Sequence, residues 1–470
     1  MTQPTARFDK TTLFNVRDFG ASGDGATDDT AAIQQAIDIC SRHGNGIVLV
    51  PAGTYAITPL YLRSHVRLHL EKEATLLGSP NPDDYRDLES DKIFPQAAPY
   101  NCKALLIAED EENIAITGEG TIDGQGDAFY DQSQPDLRWW PVLDKKSRPG
   151  RMVMFLLCRD VRIEGVRLVQ APAWTFWVFG CEKVAFHGVT IRTNPRAINT
   201  DGIDIDACRD VTISHCSIHT GDDAIILRAI DRVFRPEGDP SRVSRSGLGF
   251  GSRPCEQVTV ENCELVSYCN AIRFSYIGDG TIRNVVMRNL SISGSRRGII
   301  CQIPTRQQTP ERNNTRTMPE ERYLAPVVEN LHLSNITIEA NQPLWFFLAD
   351  EATATRLGNI TLENIRATGG CASVFKGNET TPFENVVLRN VRLTLSDLDA
   401  MPKTELKEEA AALYLDHCCG VALQQVVFEG ETARFEPETP LISWQKVEAI
   451  DADGVVNRTR FGLNVPAAAV

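Results

Sequence analysis

Nine short segments share one pattern, a polar residue followed by alternating apolar positions. They are "NIAI" at 113, "DVRI" at 160, "KVAF" at 183, "DVTI" at 210, "QVTV" at 257, "NVVM" at 284, "NLHL" at 330, "NITL" at 359 and "NVVL" at 385. Their spacings are 47, 23, 27, 47, 27, 46, 29 and 26 residues. The long intervals are near twice the short ones, which reads as an underlying period of about 23–27 residues, in the solenoid range. Each unit holds short strands between Gly, Asn and Asp turns, with no helix to cross between parallel strands. Stacking coil on coil satisfies such a chain, because every ladder bond then runs to the next coil at about 4.8 Å. The expected fold is all-β, a single-stranded right-handed parallel β-helix of roughly ten coils. A β-sandwich would instead show hairpin turns every 8–12 residues or so.

A length of 470 residues exceeds one compact core, yet a solenoid grows along its axis. The whole chain, 1–470, therefore reads as one domain, with 10–60 as N-terminal cap and first coil and 400–470 as C-terminal coils and tail. Near the start, strand-like Phe14 to Phe19 runs into a Gly/Asp turn and an aspartate-capped helix over about residues 28–40. Ile33, Ala36, Ile37 and Cys40 fall on its one apolar face and would close the open end of the core. Three polar stretches rich in Pro, Gly and Arg break the rhythm, 124–150, 231–254 and 303–326. In a solenoid such insertions gather as loops on one face, often the binding face.

The net charge of -14 argues against a nucleic-acid partner but leaves room for a local basic pocket. The longest apolar run, "MVMFLLC" (152–158), is too short to span a membrane. The N-terminus lacks the basic start and apolar core of a secretory leader, so a cytoplasmic location is expected, or a secreted or periplasmic one if the chain is a processed form. Thirteen cysteines with no CxxC pair read as buried free thiols. No histidine spacing suggests a metal and no glycine loop a nucleotide, so no cofactor is expected.

The stretch "NTDGIDIDACRDVTISHCSIHTGDDAIIL" (199–227) places Asp201 one coil before Asp222 and Asp223. Stacking brings these three acids together, and crowded carboxylates cannot all ionise cheaply. One retained proton beside one or two carboxylates is what glycosidic bond cleavage needs: an acid for the leaving oxygen, a base for water. The expected separation of acid and base is about 6.5–9.5 Å for inversion. Gly202 and Gly221 would let backbone and sugar approach closely. Asp204, Asp206 and Asp210 read instead as turn residues bonding nearby amides. Calcium binding by the same acids is an alternative without EF-hand spacing.

"NTDGIDID" (199–206) and "GDDAIILR" (221–228) resemble the two acidic motifs of glycoside hydrolase family 28, the polygalacturonase family of inverting hydrolases on a right-handed parallel β-helix. "FGASGDGATDDTAAIQQAI", "GIVLVPAGTY" (46–55) and "APAWTFWVFGCEKVAFHGVTI" (171–191) are similar to earlier coils of pectin-degrading β-helix enzymes. The resemblance implies that Asp222 is the general acid and that Asp201 and Asp223 hold and activate the water. It implies that Asn199 contacts sugar or orients Asp201, and that Arg228 lies near the substrate. Two departures stand out. The family's Gly-His-Gly motif falls near "YCNAIRFS" (268–275), where Tyr268, Asn270 and Arg273 stand instead. Its Arg-x-Lys motif, which grips a galacturonate carboxylate, aligns with "GIICQI" (298–303), where Ile300 and Gln302 replace both cations.

Tyr268, Asn270, Arg273 and Gln302 are thus the further candidate substrate-binding residues. Either Arg273 or a loop arginine such as Arg306 or Arg312 replaces the lost clamp, or the sugar is neutral. Trp139 and Trp140 are candidates for stacking on sugar rings, Trp174 and Trp177 for packing. The implied partner is an oligosaccharide or polysaccharide of pectic type, with exo-action on short chains. A polysaccharide lyase on the same scaffold and a non-catalytic carbohydrate-binding β-helix are the competing readings.

Overall fold

The computed structural model describes residues 12–90, 92, 101–134, 136–229, 253–275, 280–303, 326–350, 352, 354–397, 411–431 and 440–461. The strands pair in parallel, each with the strand one coil away, and the chain winds as a right-handed parallel β-helix. One ladder of inward side chains runs Val48, Leu68, Ile116, Ile163, Phe186, Ile213, Val260, Met287, Leu333, Leu362, Leu388 and Leu423, which makes twelve rungs. All twelve are fully buried. Aromatic rings stack along the same interior, as in Phe155, Phe176 and Phe186 with centroids 5.2 and 4.9 Å apart.

The nine repeated segments are nine successive rungs, and the long intervals correct the expected period. Ile114 pairs with Val161, Val211 with Val258 and Val285 with Leu331, so each interval of 46 or 47 residues is one coil, not two. The extra length is the insertion that each of these coils carries. The first residue of every segment explains the polar position. Asn113, Asp160, Lys183, Asp210, Gln257, Asn284, Asn330, Asn359 and Asn385 all have φ between 51 and 59°, the left-handed conformation that turns the coil's corner. Asparagine tolerates it and also stacks. Asn330, Asn359 and Asn385 each donate Nδ2 to the Oδ1 of the asparagine one coil before, at 2.9–3.1 Å.

The helix Thr30–His43 packs its buried Ile33, Ala36, Ile37 and Cys40 onto the first coils, as the apolar spacing requires. Its start differs from expectation. Asp29 occupies the cap position and its carbonyl accepts the Ile33 amide, but its side chain does not cap the helix; its carboxylate takes the amides of Ser22 and Gly23, and Asp28 receives the Thr30 amide. The first strand, Thr12–Asn15, ends short of the expected Phe19, because the Asn15 side chain accepts from the Arg17 amide and starts a 3-10 turn over Val16–Phe19. All thirteen cysteines are free, and all but Cys371 and Cys419 are buried. No helix of the described residues is long and apolar enough to cross a membrane.

Candidate active site

The strands Trp174–Phe179, Ile203–Asp206, Ile225–Arg228 and Asn270–Ser275 lie side by side and continue into Thr281–Ile303. Ile203 pairs with Ile225 and Ile225 with Ile272, so two positions earlier Asp201, Asp223 and Asn270 stand on successive rungs. The carbonyls of Asp223 and Asn270 receive the amides of Gly202 and Ala224 at 2.9 and 3.0 Å, which fixes that register. The coil is therefore 22 residues here, and Asp223 rather than Asp222 lies directly across from Asp201. Asp222 heads a second row, one position back, that continues through Cys269 to Arg296.

Three carboxylates converge as the motif spacing requires. Asp201 Oδ1 and Asp222 Oδ1 both accept from the Asp223 amide at 3.1 Å. Asp222 Oδ2 accepts from the Asn199 amide at 3.0 Å. Asp223 is held on both oxygens, by the Asn270 amide nitrogen and by Arg273 Nη1, the latter at 2.5 Å. Asp201 and Asp223 are 4% and 1% exposed, whereas Asp222 stays half-buried. Burial and the Asp223 charge push Asp222 up to about 6, against the pull of Arg273 and the bonds from Asn199 and Cys269. Burial, then the neighbouring Asp222, raise Asp201 well above the carboxylate range. Protons are thus shared within the cluster near neutral pH.

Among the described residues, the one set able to hold a metal ion is Asp222, Asp223 and Cys269, with ligand atoms within 4.8 Å of one another. Arg273 and Asn270 already engage both Asp223 oxygens. An oxygen of Asp222 and one of Asp223 thus lie within 4.8 Å of each other. The glycines are also explained differently. A Cβ on Gly202 would lie 2.3 Å from the Ala224 carbonyl, and one on Gly221 2.3 Å from the Asn194 carbonyl, so both serve close packing of coils.

The other candidates divide. Asn199, in the left-handed conformation (φ 65°), positions Asp222 through its backbone rather than Asp201. Asn270 and Arg273 reach the site but bind Asp223. Arg228 is 3% exposed and fully engaged, with Nε 2.8 Å from Asp206 Oδ1 and Nη2 2.6 Å from Asp204 Oδ1. Its guanidinium lies 4.4 Å from the Trp174 ring centre. Arg228 is therefore part of a buried network with Asp204 and Asp206, which accept from it rather than from turn amides; burial pushes Asp204 up to about 8 against the pull of Arg228. Trp174 and Trp177 are buried packing residues, and Trp177 Nε1 donates to Asp206 at 2.5 Å. Gln302 is half-buried, five residues beyond Arg297 along the strand, about 16 Å from the carboxylate row at 3.3 Å per residue. Ile300 is sealed among Trp345, Ala372, Val374 and Tyr414. Tyr268 borders the cluster, its carbonyl accepting from Arg138 Nη2 at 3.2 Å.

Of the three insertions, the first wraps the site, while 230–252 and 304–325, with Arg306 and Arg312, lie outside the described residues. Sequence reasoning missed what the first insertion brings. Tyr130 donates its hydroxyl to the Ile198 carbonyl at 2.7 Å, and buried Arg148 donates to that hydroxyl at 2.6 Å and to Asn199 Oδ1 at 3.4 Å. Arg138, Arg148 and Cys269 carry no local signal in the sequence beyond lying in an insertion or beside a motif.

Arg273→Gln should move the alkaline limb of activity to higher pH, since it removes a positive charge that favours ionised Asp222. It should also lower kcat on the order of tenfold, because Asp223 loses a charge-assisted bond. A pH–rate profile checks both, and an alkaline limb that stays put or moves down would contradict the assignment.

Carboxylates gathered on the outer face of a parallel β-helix, beside an insertion that shelters them, define a class of carbohydrate-active β-helix proteins. Within that class the chain belongs to the Glycosyl hydrolases family 28, whose family model matches residues 40–412. A "Probable polygalacturonase" of Vitis vinifera is 28% identical over 294 residues, covering 60% of this chain and 55% of that relative. The chain thus spans little more than half of that relative's length. An "Endo-polygalacturonase" of Pectobacterium carotovorum is 26% identical over 288 residues, covering 56% of this chain and 70% of the relative. The crystal structure of an exopolygalacturonase from Thermotoga maritima shares the fold, with a TM-score of 0.63 at 22% identity, covering 82% of this chain and 87% of that one.

Proposed function

We propose that the protein is a hydrolase that cleaves a glycosidic bond of pectin-derived or related oligosaccharides with inversion at the anomeric carbon. The observation that carries this reading is the asymmetry among the three acids. Asp222 is half-open and pushed up to about 6, whereas Asp223 is gripped on both oxygens by donors. Asp222 gives its proton to the leaving oxygen as the anomeric C–O bond breaks. Water attacks the opposite face, and its proton passes to Asp223 or Asp201. The cycle closes when solvent returns a proton to Asp222 and removes one from the base.

The names of the relatives support a polygalacturonase-like substrate. The first insertion reaches from the Arg196 carbonyl to Tyr268 and walls one side of the acids, which supports exo-action on chain ends. The test is proton NMR of the first product released from oligogalacturonides and related pectic oligosaccharides. Inverted anomeric configuration and single-sugar release are expected; retained configuration or an unsaturated lyase product overturns the reading. The acid must be protonated to act, so kcat should fall about tenfold per pH unit above roughly pH 6. Full activity persisting to pH 8 would show that Asp222 is not the acid.

A further inference from the structure

We propose that Arg138 and Arg296 form a carboxylate-binding clamp at the edge of the acid cluster, gripping the acidic group of a uronate beside the scissile bond. The proposal rests on the hydrolase reading above and assigns the specificity of that same site. Cys269 follows Asp222 by one rung and Arg296 follows Cys269 by another, so Arg296 begins about 10 Å from Asp222, two rung spacings away. Arg138 descends from the first insertion. Its guanidinium stacks 4.1 Å from the Trp139 ring centre and 5.5 Å from that of Tyr268, and its Nη2 is anchored on the Tyr268 carbonyl. Arg138 is thereby held on the Tyr268–Cys269 rung, and Arg296 stands on the next rung.

Neither guanidinium is fully satisfied. Among the described residues no carboxylate pairs with Arg138 or Arg296, although most arginines that line the coils have one. The Nε of each is buried without an acceptor, and so are the indole nitrogens of Trp139 and Trp140 beside them. Burial and the nearby Arg296 charge both hold Arg138 below its ordinary value, so the two guanidinium groups repel. Like charges held together and short of acceptors are stabilised when a third, anionic group enters between them. Arg guanidinium forks match a carboxylate, and the orphaned indole donors match sugar hydroxyls.

Other cations of the region are committed elsewhere. Arg273 binds Asp223, Arg228 binds Asp204 and Asp206, and Arg297 donates Nε to Gln342. The apolar site around Ile300 offers a carboxylate nothing. The lost Arg-x-Lys pair is thus replaced by Arg296, earlier on the same strand and nearer the acids, and by a partner from the insertion.

The experiment compares trigalacturonate with its methyl ester, the same sugar without the charge. Wild-type protein is expected to favour the acid. Arg138→Gln and Arg296→Gln should each lower the ratio of kcat/KM for acid over ester by about tenfold to a hundredfold, the worth of a charge-assisted bond. Arg138→Lys and Arg296→Lys should recover part of it, which separates lost charge from lost folding. Calorimetric binding to the inactive Asp222→Asn protein should show the same loss without catalysis. An acid-to-ester ratio unchanged in both Gln variants, or a wild type that favours the ester, overturns the clamp and leaves the hydrolase reading standing. Hydrolysis of neutral pectic oligosaccharides alone likewise overturns only the clamp, whereas failure of the wild type to hydrolyse any pectic oligosaccharide, acidic or neutral, overturns the hydrolase reading itself.

Discussion

Asp222→Asn abolishes turnover, lowering kcat by about 10²–10⁴-fold, while oligosaccharide binding survives. The amide keeps the shape of the carboxyl but has no proton to transfer, and the leaving oxygen must then depart as an anion. Both Asp222 oxygens accept from backbone amides, those of Asn199 and Asp223, so an asparagine here satisfies only one of the two. A small loss of stability should accompany the large loss of rate. The flanking acid gives a contrasting result. Asp223→Asn removes the charge that raises Asp222, so residual activity should lose its alkaline limb at a lower pH. That shift is opposite to the one expected of Arg273→Gln. Stopped assays across the pH range, with binding measured by calorimetry, decide the matter. Asp222→Asn retaining a tenth of wild-type kcat, or the two limbs moving in the same direction, would remove Asp222 from the role of acid.

The β-helix was legible because its physics is local: apolar alternation fills the interior, and a left-handed corner needs residues such as Asn113 or Asn284 in each coil. The insertions hid the true period. A coil of 47 residues and two coils of about 23 look alike to spacing, and only pairing such as Ile114 with Val161 separates them. The acids were legible for the same reason as the coils, since one period between Asp201 and the Asp222–Asp223 pair guarantees their meeting. Their neighbours were not. Arg148 lies 51 residues before Asn199 in the chain yet bonds its side chain, a contact that depends on how the insertion folds back. Arg228 was misplaced because a motif fixes position along the chain, whereas the direction of a side chain depends on the partners it meets.

Those partners make Arg228→Met the substitution with the largest expected effect on stability. The guanidinium is 3% exposed and the two carboxylates it binds, Asp204 and Asp206, are both 0% exposed. Against the pull of burial, Asp206 and then Asp204 hold Arg228 above its ordinary value, so the cation stays charged. Methionine preserves most of the volume but leaves two buried acids with no cation between them. Breaking a buried pair in this way costs about 3–5 kcal/mol, because the remaining charge has no solvent to turn to. Part of the loss should be recovered by Asp204→Asn and Asp206→Asn in the same chain, which remove the stranded charges. Thermal melts of the parent, Arg228→Met, the Asp204→Asn/Asp206→Asn double variant and the triple variant test the coupling: a drop of several degrees for Arg228→Met alone, partly reversed in the triple variant. Asp201 gives a second readout, since the Arg228 charge favours its ionised form and its loss should push that acid higher still. An Arg228→Met protein that melts like its parent and shows only weaker substrate binding would return Arg228 to the sugar, where its place in the motif first put it.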